Sequence, residues 1–338
     1  MLKFSVLLSV YEKENPIYLS LALNSIMMQT LKPNEIVIVK DGNLTVDLDR
    51  CIDEFQKQYP TIVKIVSFKI NRGLGLALRD GVLECTNEYI ARMDADIIAV
   101  ATRFEVQLKY LEKHPDISLL GSWIKEFSTD VNNCDSITQL PCSYKDIKKF
   151  AEKRNPFRHM TVIFKKSSVL SSGNYREFLW FEDYDLWVRM LLNGYKAENL
   201  PEFLVNVRAT EDMFSRRGGW LYLKQEIKFQ LNLLKIHFID RKIFALNVFL
   251  RSFVRILPNN LRIVLYKEFN SNCGQHFVLK EDDGKITVYK INENNEEEIY
   301  EKTEISVEYL SETDKGKISE GIKVNGIEEL NQLLEDFE

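Results

Sequence analysis

Two aspartates one residue apart, Asp94 and Asp96, close the apolar run "NEYIARMDADIIAV" that spans Asn87 to Val100. In an extended segment the side chains of residues i and i+2 leave on the same side, so both carboxylates would converge on one point. Like charges held that close repel unless a cation lies between them or one is protonated. Hard divalent ions such as Mg²⁺ and Mn²⁺ favour carboxylate oxygen and complete their shell with water and substrate phosphates. The spacing predicts cation-assisted phosphate chemistry, although an acidic loop at a strand end has the same pattern.

A second acidic group, Glu182, Asp183 and Asp185, stands in "FEDYDLW" at the predicted start of a helix, where the helix dipole favours negative charge. A carboxylate placed there can take a proton from an acceptor hydroxyl; helix capping is the plainer use of the same residues. Asp41 follows the apolar run "EIVIVK", with Gly42 beside it for a tight turn, and "NRGLG", Asn71 to Gly75, opens a helix.

The elements that must carry these residues alternate. "FSVLLSV", "EIVIVKDG", "VKIVSF" and "EYIARMDAD" read as strands, and "NPIYLSLALNSIMMQT", "VDLDRCIDEFQKQY" and "GLGLALRDGVLEC" as the helices between them. That order predicts an α/β fold, a mostly parallel sheet flanked by helices. Ligands of such sheets collect at the carboxyl ends of the strands, where the loops "SVYEKEN", "KDGN" and "DADI" all begin. A helix from Arg103 to about Pro115 and a strand "ISLLGSWI" follow, then a strand, a turn, a helix near Glu182 and a further strand.

The chain of 338 residues has room for a large domain and something smaller. Its net charge of −5 is uneven: 18 acidic and 7 basic residues follow Phe269, leaving about +6 before it. The predicted division is 1–220 catalytic, 221–269 a helical and partly basic extension, and 270–338 a small acidic α+β domain, with "NSNCGQ" as linker. In that last part "HFVLKEDDGKITVYKI" reads as a hairpin turning at Asp283-Gly284, and "GIEELNQLLEDF" as a helix. Five cysteines without paired spacing fit neither a disulfide framework nor a zinc site and suit a reducing cytoplasm. The opening "MLKFSVLLSVYEKEN" is too short and too early charged for a spanning helix, so it reads as a buried strand, and any membrane contact is expected to be peripheral. No nucleic-acid partner is expected, and the oligomeric state is not legible.

Taken together, "FSVLLSVYEKENPIYLSLALNSIMMQTLKPNEIVIVKDG", "NRGLGLALRDGV", "EYIARMDADI", "NPFRHMTVIFKKSSVL" and "FEDYDLWVRMLLNGY" resemble a family 2 glycosyltransferase of the GT-A fold, of the bacterial exopolysaccharide, capsule or lipopolysaccharide type. The resemblance covers roughly the first 220 residues. It implies a UDP-sugar donor, with Ser9, Val10, Tyr11 and Asp41 at the base and ribose; a uracil N3 hydrogen suits a carboxylate acceptor. It places Asp94 at the ribose and the divalent cation, Mn²⁺ or Mg²⁺, and Asp96 at the cation, with Asn71, Gly73 and Arg79 also on the donor side. Family members usually continue the aspartate motif with another acid; here Ile97 follows. The resemblance assigns Asp183 as base and Glu182 to the acceptor site, and a single displacement would invert the anomeric centre.

Arg216 and Arg217 in "SRRGGW" suit a lid over the diphosphate, since guanidinium forks match phosphate oxygens. His159 and Trp180 are candidates for the acceptor side, His159 also for a metal ligand. The resemblance further implies a saccharide or lipid-linked acceptor at the inner membrane face. In Ile243 to Leu257 the residues Asn247, Arg251 and Arg255 form one stripe at i, i+4 spacing, expected to meet anionic lipid while the apolar face packs on the protein. The tail from about Gln275 resembles the C-terminal domain of the bypass-of-forespore-C proteins, which implies docking or regulation. A sugar nucleotidyltransferase would need a glycine-rich loop after the first strand, and "SVYEKENP" has no glycine; a non-catalytic nucleotide-sugar-binding or envelope interaction protein would leave the acids of "FEDYD" without a task.

Overall fold

The computed structural model describes residues 2–132, 134–208, 219–256, 276–291, 297–325, 330 and 333–337. The chain divides into two compact units, Met1–Cys134 with Thr138–Arg262, and Asp135–Ile137 with Ile263–Glu338.

The first unit opens as the alternation predicts: β1 (Phe4–Val10), α1 (Pro16–Met27), β2 (Glu35–Asp41), α2 (Val46–Gln58), β3 (Val63–Phe68), α3 (Leu74–Glu84) and β4 (Tyr89–Arg92). There follow β5 (Ile97–Ala99), α4 (Arg103–Lys113), β6 (Ile117–Phe127), β7 (Ser136–Thr138, of which Ser136 and Ile137 are grouped with the second unit), α5 (Tyr144–Ala151), β8 (Ile163–Lys165), α6 (Lys166–Ser171), α7 (Glu182–Leu192), β9 (Lys196–Arg208), α8 (Gly219–Lys235) and α9 (Arg241–Ile256). The main sheet runs β3-β2-β1-β4-β8-β6-β9-β5. β1 pairs in parallel with both β2 and β4, so the chain reverses its winding at β1. A crevice opens at the carboxyl ends of strands where winding reverses. β8 runs antiparallel to β4 and β6, and β5 antiparallel to β9, which makes the sheet mixed beyond β4.

Both faces of the central strands are covered, which is why they read as unbroken apolar runs. Val6, Leu8, Ile36 and Ile38 pack with α1, α2 and α4, while Leu7, Val37 and Val39 point to the opposite core with α3 and α7. α1 begins where Asn15 caps it, its side chain accepting from the amides of Ile17 at 2.9 Å and Tyr18 at 3.3 Å, with Pro16 at the first helical position.

The structure corrects three expectations. The strand "EYIARMDAD" ends early, at Arg92; Asp94 lies past it and Ala95-Asp96 form a turn leading to β5, so the two carboxylates are not the same-face pair of an extended segment. The buried side chains of Ile97 and Ala99 draw β5 to β9, and the turn left between the two strands buries Ala95 and exposes Asp96. α6 stands where only a turn was expected. On α9 the polar stripe faces inward: Asn247, 5% exposed, donates to the Glu152 carbonyl at 2.8 Å and to Gln230 at 3.0 Å, and Arg251 pairs with buried Glu226 and the Lys153 carbonyl. The side chain of Arg255, together with Leu257, lies outside the described residues.

The second unit holds a four-stranded antiparallel sheet ordered β12-β11-β10-β13, from β10 (His276–Asp282), β11 (Lys285–Ile291), β12 (Glu297–Ser306) and β13 (Ile322–Asn325), with α10 (Glu312–Glu320). Phe277, Leu279, Ile286, Val288 and Ile318 form its core. The hairpin turns at Asp283-Gly284, both at positive φ, as a two-residue turn of this chemistry demands. Half of the expected helix "GIEELNQLLEDF" lies outside the described residues; Leu330 and 333–335 are helical and 336–337 form a turn. No helix among them is long and apolar enough to cross a membrane.

Candidate active site

Two buried guanidinium groups, Arg92 and Arg103, stand at the carboxyl end of β4. Arg92, the last residue of β4, is 1% exposed, and its Nη2 lies 2.5 Å from Oδ1 of Asp94. Arg103 on α4 is fully buried and donates to the Arg92 carbonyl at 2.9 Å and to Gln107 at 3.1 Å; burial pushes its pKa down to about 9. Gln107 in turn donates to the Thr161 carbonyl at 2.9 Å. This chain of contacts fixes Asp94 from below before any ligand binds.

Beside it, Asp41 ends β2 and is 3% exposed. Its two carboxylate oxygens accept from the backbone amides of Arg72 at 2.8 Å and Gly73 at 3.0 Å, and Asn71 Oδ1 accepts from Gly73 at 3.1 Å. Asp41 thus shapes the Asn71–Gly73 loop, a task its sequence context did not suggest. Gly42, at φ +93°, is needed here because a Cβ would come within 2.8 Å of the Asn71 nitrogen. Arg79 points to Asp80, its Nε 2.8 Å from Oδ1, and Arg72 takes the other oxygen. Val10 is buried, with Ser9 and Tyr11 half-buried at the end of β1.

The acid pair opens α7. Glu182 and Asp183 are 8% and 9% exposed, and burial raises both carboxyls well above their ordinary range, with Asp183 reinforcing the rise at Glu182 and Asp94 acting in the same direction on both. Asn155 donates to Asp183 Oδ2 at 2.7 Å, and the Tyr184 amide to Oδ1 at 2.6 Å, which favour the ionised form and restrain the rise at Asp183. Gly75 lets α3 approach: a Cβ there would sit 3.0 Å from Glu182 Cβ and 2.4 Å from the Arg176 carbonyl. The neighbouring Asp185 is structural, clasped by Arg189 at 2.8 Å and by Asn232 of α8 at 3.1 Å.

Just before α7, Trp180 holds φ +67°, rare for a bulky residue, is 38% exposed, and stacks on Tyr222 with ring centres 4.9 Å apart. His159 goes inside instead of lining an acceptor surface: its Nε2 is 2.9 Å from the Tyr175 hydroxyl, it abuts Trp187, and burial pushes its pKa well below the ordinary value. Arg216 and Arg217 lie outside the described residues.

Asp94 keeps Oδ2 for a ligand while Arg92 takes Oδ1, and Asp96 is exposed beside it. No group of three or more His, Cys, Asp and Glu side chains that could hold a metal occurs among the described residues. The two aspartates fit an ion that takes its remaining oxygens from a diphosphate and water, the usual manner of Mg²⁺.

Residues 5–172 match the glycosyl transferase family 2 profile. The amylovoran biosynthesis glycosyltransferase AmsE of Erwinia amylovora is 39% identical over 268 residues, 78% of this chain and 98% of its own. The chain belongs to glycosyl transferase family 2. A second relative, 36% identical across 79% of this chain and 96% of its own, is the UDP-Gal:alpha-D-GlcNAc-diphosphoundecaprenol beta-1,3-galactosyltransferase of Escherichia coli. The mannosyltransferase PcManGT of Pyrobaculum calidifontis, solved with GDP-Man and Mn²⁺, shares the fold at TM-score 0.54 and 15% identity, over 78% of this chain and 72% of that one. Residues 274–338 match the BofC C-terminal domain.

In this family 2 glycosyltransferase the sequence reading singled out Asp41, Asp94, Glu182 and Asp183 but not their holders Arg92, Arg103 and Asn155. The signal available for Arg92 was a charged residue inside an otherwise apolar strand, which is buried only with a partner. Asn155 carried no such signal, because its contact spans 28 residues of chain.

Proposed function

We propose that the enzyme moves a hexose from a UDP-sugar to a hydroxyl of a lipid-linked saccharide, with inversion, on the cytoplasmic side during assembly of a cell-surface polysaccharide. The names of the Erwinia and Escherichia coli relatives support the setting, the donor and the class of acceptor. The observation that carries the reading is the convergence of Asp94, Glu182 and Asp183 in one electrostatic neighbourhood, with the first turn of α3 packed against Glu182 at Gly75.

In this reading Ser9, Val10, Tyr11 and the loop organised by Asp41 hold the nucleoside, with Asn71 and Gly73 lining the donor side. Asp94 and Asp96 hold the divalent cation, which when bound neutralises charge on the departing diphosphate. Asp183, kept in place by Asn155, takes the proton of the acceptor hydroxyl as that oxygen attacks the anomeric carbon. Its raised pKa makes it a better base than an ordinary aspartate while leaving it ionised in neutral solution. Glu182 and Trp180 face the acceptor, a ring platform suiting a sugar face.

Galactose is the first donor to test, with glucose and N-acetylhexosamines beside it. The enzyme is incubated with each UDP-sugar, Mn²⁺ and a diphospholipid-linked GlcNAc, and UDP release and product anomer are read. Release that depends on acceptor and yields the inverted anomer supports the proposal; a retained anomer or indifference to every UDP-sugar rejects it.

A further inference from the structure

Each helix of the α8–α9 hairpin has a buried side and an exposed side; the exposed side is rich in lysine on α8 and largely apolar on α9. On α8 the buried residues Tyr222, Leu223, Phe229 and Leu233 occupy one side. The opposite side is exposed and reads Leu221, Lys224, Lys228, Leu231 and Lys235, a single stripe at helical spacing. On α9 the inward side carries Asn247 and Arg251, bound to the Glu152 and Lys153 carbonyls and to Gln230 and Glu226 of α8. Its outward stripe is Lys242, Ala245, Leu246, Phe249 and Leu250, with Leu246 47%, Phe249 72% and Leu250 53% exposed.

The charges are sorted in the same way. Between Gly219 and Ile256 the acidic residues are Glu226 and Asp240. Glu226 is 1% exposed and neutralised by Arg251, and Asp240 caps α9 by accepting from the Ile243 amide at 2.7 Å. The exposed Lys224, Lys228, Lys235, Arg241 and Lys242 therefore border leucine and phenylalanine with no carboxylate in either outward stripe. Ile243 and Phe244 pack against the core beside that polar stripe, so α9 is already seated on its own domain while Leu246, Phe249 and Leu250 stay in water as a separate apolar patch.

We propose that this outward face is an interfacial membrane contact: the hairpin lies flat on an anionic bilayer, with Leu246, Phe249 and Leu250 at the acyl boundary and the lysines at the headgroups. The charge complementarity selects an anionic lipid surface as the occupant, since a basic amphipathic face gains from both burial and headgroup attraction. The inference goes beyond the proposed transfer and stands whatever the acceptor is.

The test floats the full-length protein with vesicles of phosphatidylcholine alone and with vesicles containing phosphatidylglycerol. Expected is recovery with the anionic vesicles, weakened by salt, with little recovery on the neutral ones. Leu246→Glu with Phe249→Glu reduces anionic-vesicle binding at least about tenfold, and Lys224→Glu with Lys228→Glu reduces it too, while both variants keep the wild-type melting temperature. Wild-type protein that stays soluble with both vesicle types overturns the proposal, as does unchanged binding by the Leu246/Phe249 variant. A dimer in light scattering that this variant abolishes, without vesicle binding, assigns the face to a second copy and overturns it as well. The melting shift with UDP-sugar in the same samples reports the donor site separately.

Discussion

Arg92 Nη2 sits 2.5 Å from Asp94 Oδ1, and this buried guanidinium, 1% exposed, joins the sheet core to the crevice. Its position means that Asp94 is oriented by the protein and not by the ligand. In the proposed mechanism Arg92 would act as a positioning residue for the cation and the donor.

Replacing Arg92 with Met removes the fork and leaves the Asp94 carboxylate without its partner. The expected outcome is a rise of at least about tenfold in the KM for donor and in the dissociation constant for Mn²⁺. Arg92→Lys, which keeps the charge but not the fork, recovers part of both. Direct Mn²⁺ binding by electron paramagnetic resonance checks the first link; unchanged Mn²⁺ affinity in Arg92→Met rejects the positioning role.

Asp183→Asn is expected to lower transfer by about 10²–10⁴ while the UDP-sugar still raises the melting temperature. Asn155→Ala removes a hydrogen bond that favours the ionised form, so the Asp183 pKa climbs further and the acid limb of the rate profile moves to higher pH. Measured pH–rate curves for both proteins decide it, and a limb that stays put separates Asn155 from the base.

The acid pair also makes a stability prediction. Both folded-state pKa values lie above those of the unfolded chain, so the folded protein holds more protons over the interval between them. Their contribution is fully present below the unfolded carboxyl range and is lost as pH rises through the raised values. Glu182→Gln should therefore melt about 2–4 °C higher than wild type near pH 8, with the gap closing toward pH 4. Thermal unfolding across that range, without donor or cation, is the measurement.

Gly75→Ala would place a methyl 2.4 Å from the Arg176 carbonyl, which is backbone and cannot swing away. α3 must retreat from Glu182, costing about 1–3 kcal/mol of stability and weakening donor binding through the Asn71–Gly73 loop. Urea unfolding and the donor-induced melting shift read the two effects separately.

Much of the architecture was legible because periodicity is a local property. The apolar runs of β1 and β2 and the helices between them predicted a sheet covered on both faces, and Val6 against Leu7 on opposite cores is that prediction realised. The acidic residues were visible for the same reason: their places at a strand end and a helix start are read from neighbours along the chain, although a solvated loop or a helix cap has the same pattern. Less legible was the exact end of β4. Two residues beyond Arg92 the sequence still alternates as a strand would, but pairing of β5 with β9 takes the chain away, and Asp94 and Asp96 fall in the turn between.

From its order of residues alone this protein had its layers, the loops at its strand ends and the identity of its acids, since those follow from neighbours along the chain. Contacts across long stretches of chain were decided only on folding: Arg103 beneath Arg92, Asn155 on Asp183, and His159 turned inward to Tyr175. α9 makes the distinction sharp. Its sequence displays one polar and one apolar face but cannot say which is inside, because that depends on whether the body it meets offers carboxylate and carbonyl partners or a greasy groove. Here Glu226 and the carbonyls of Glu152 and Lys153 were waiting, so Asn247 and Arg251 went in and Phe249 stayed out.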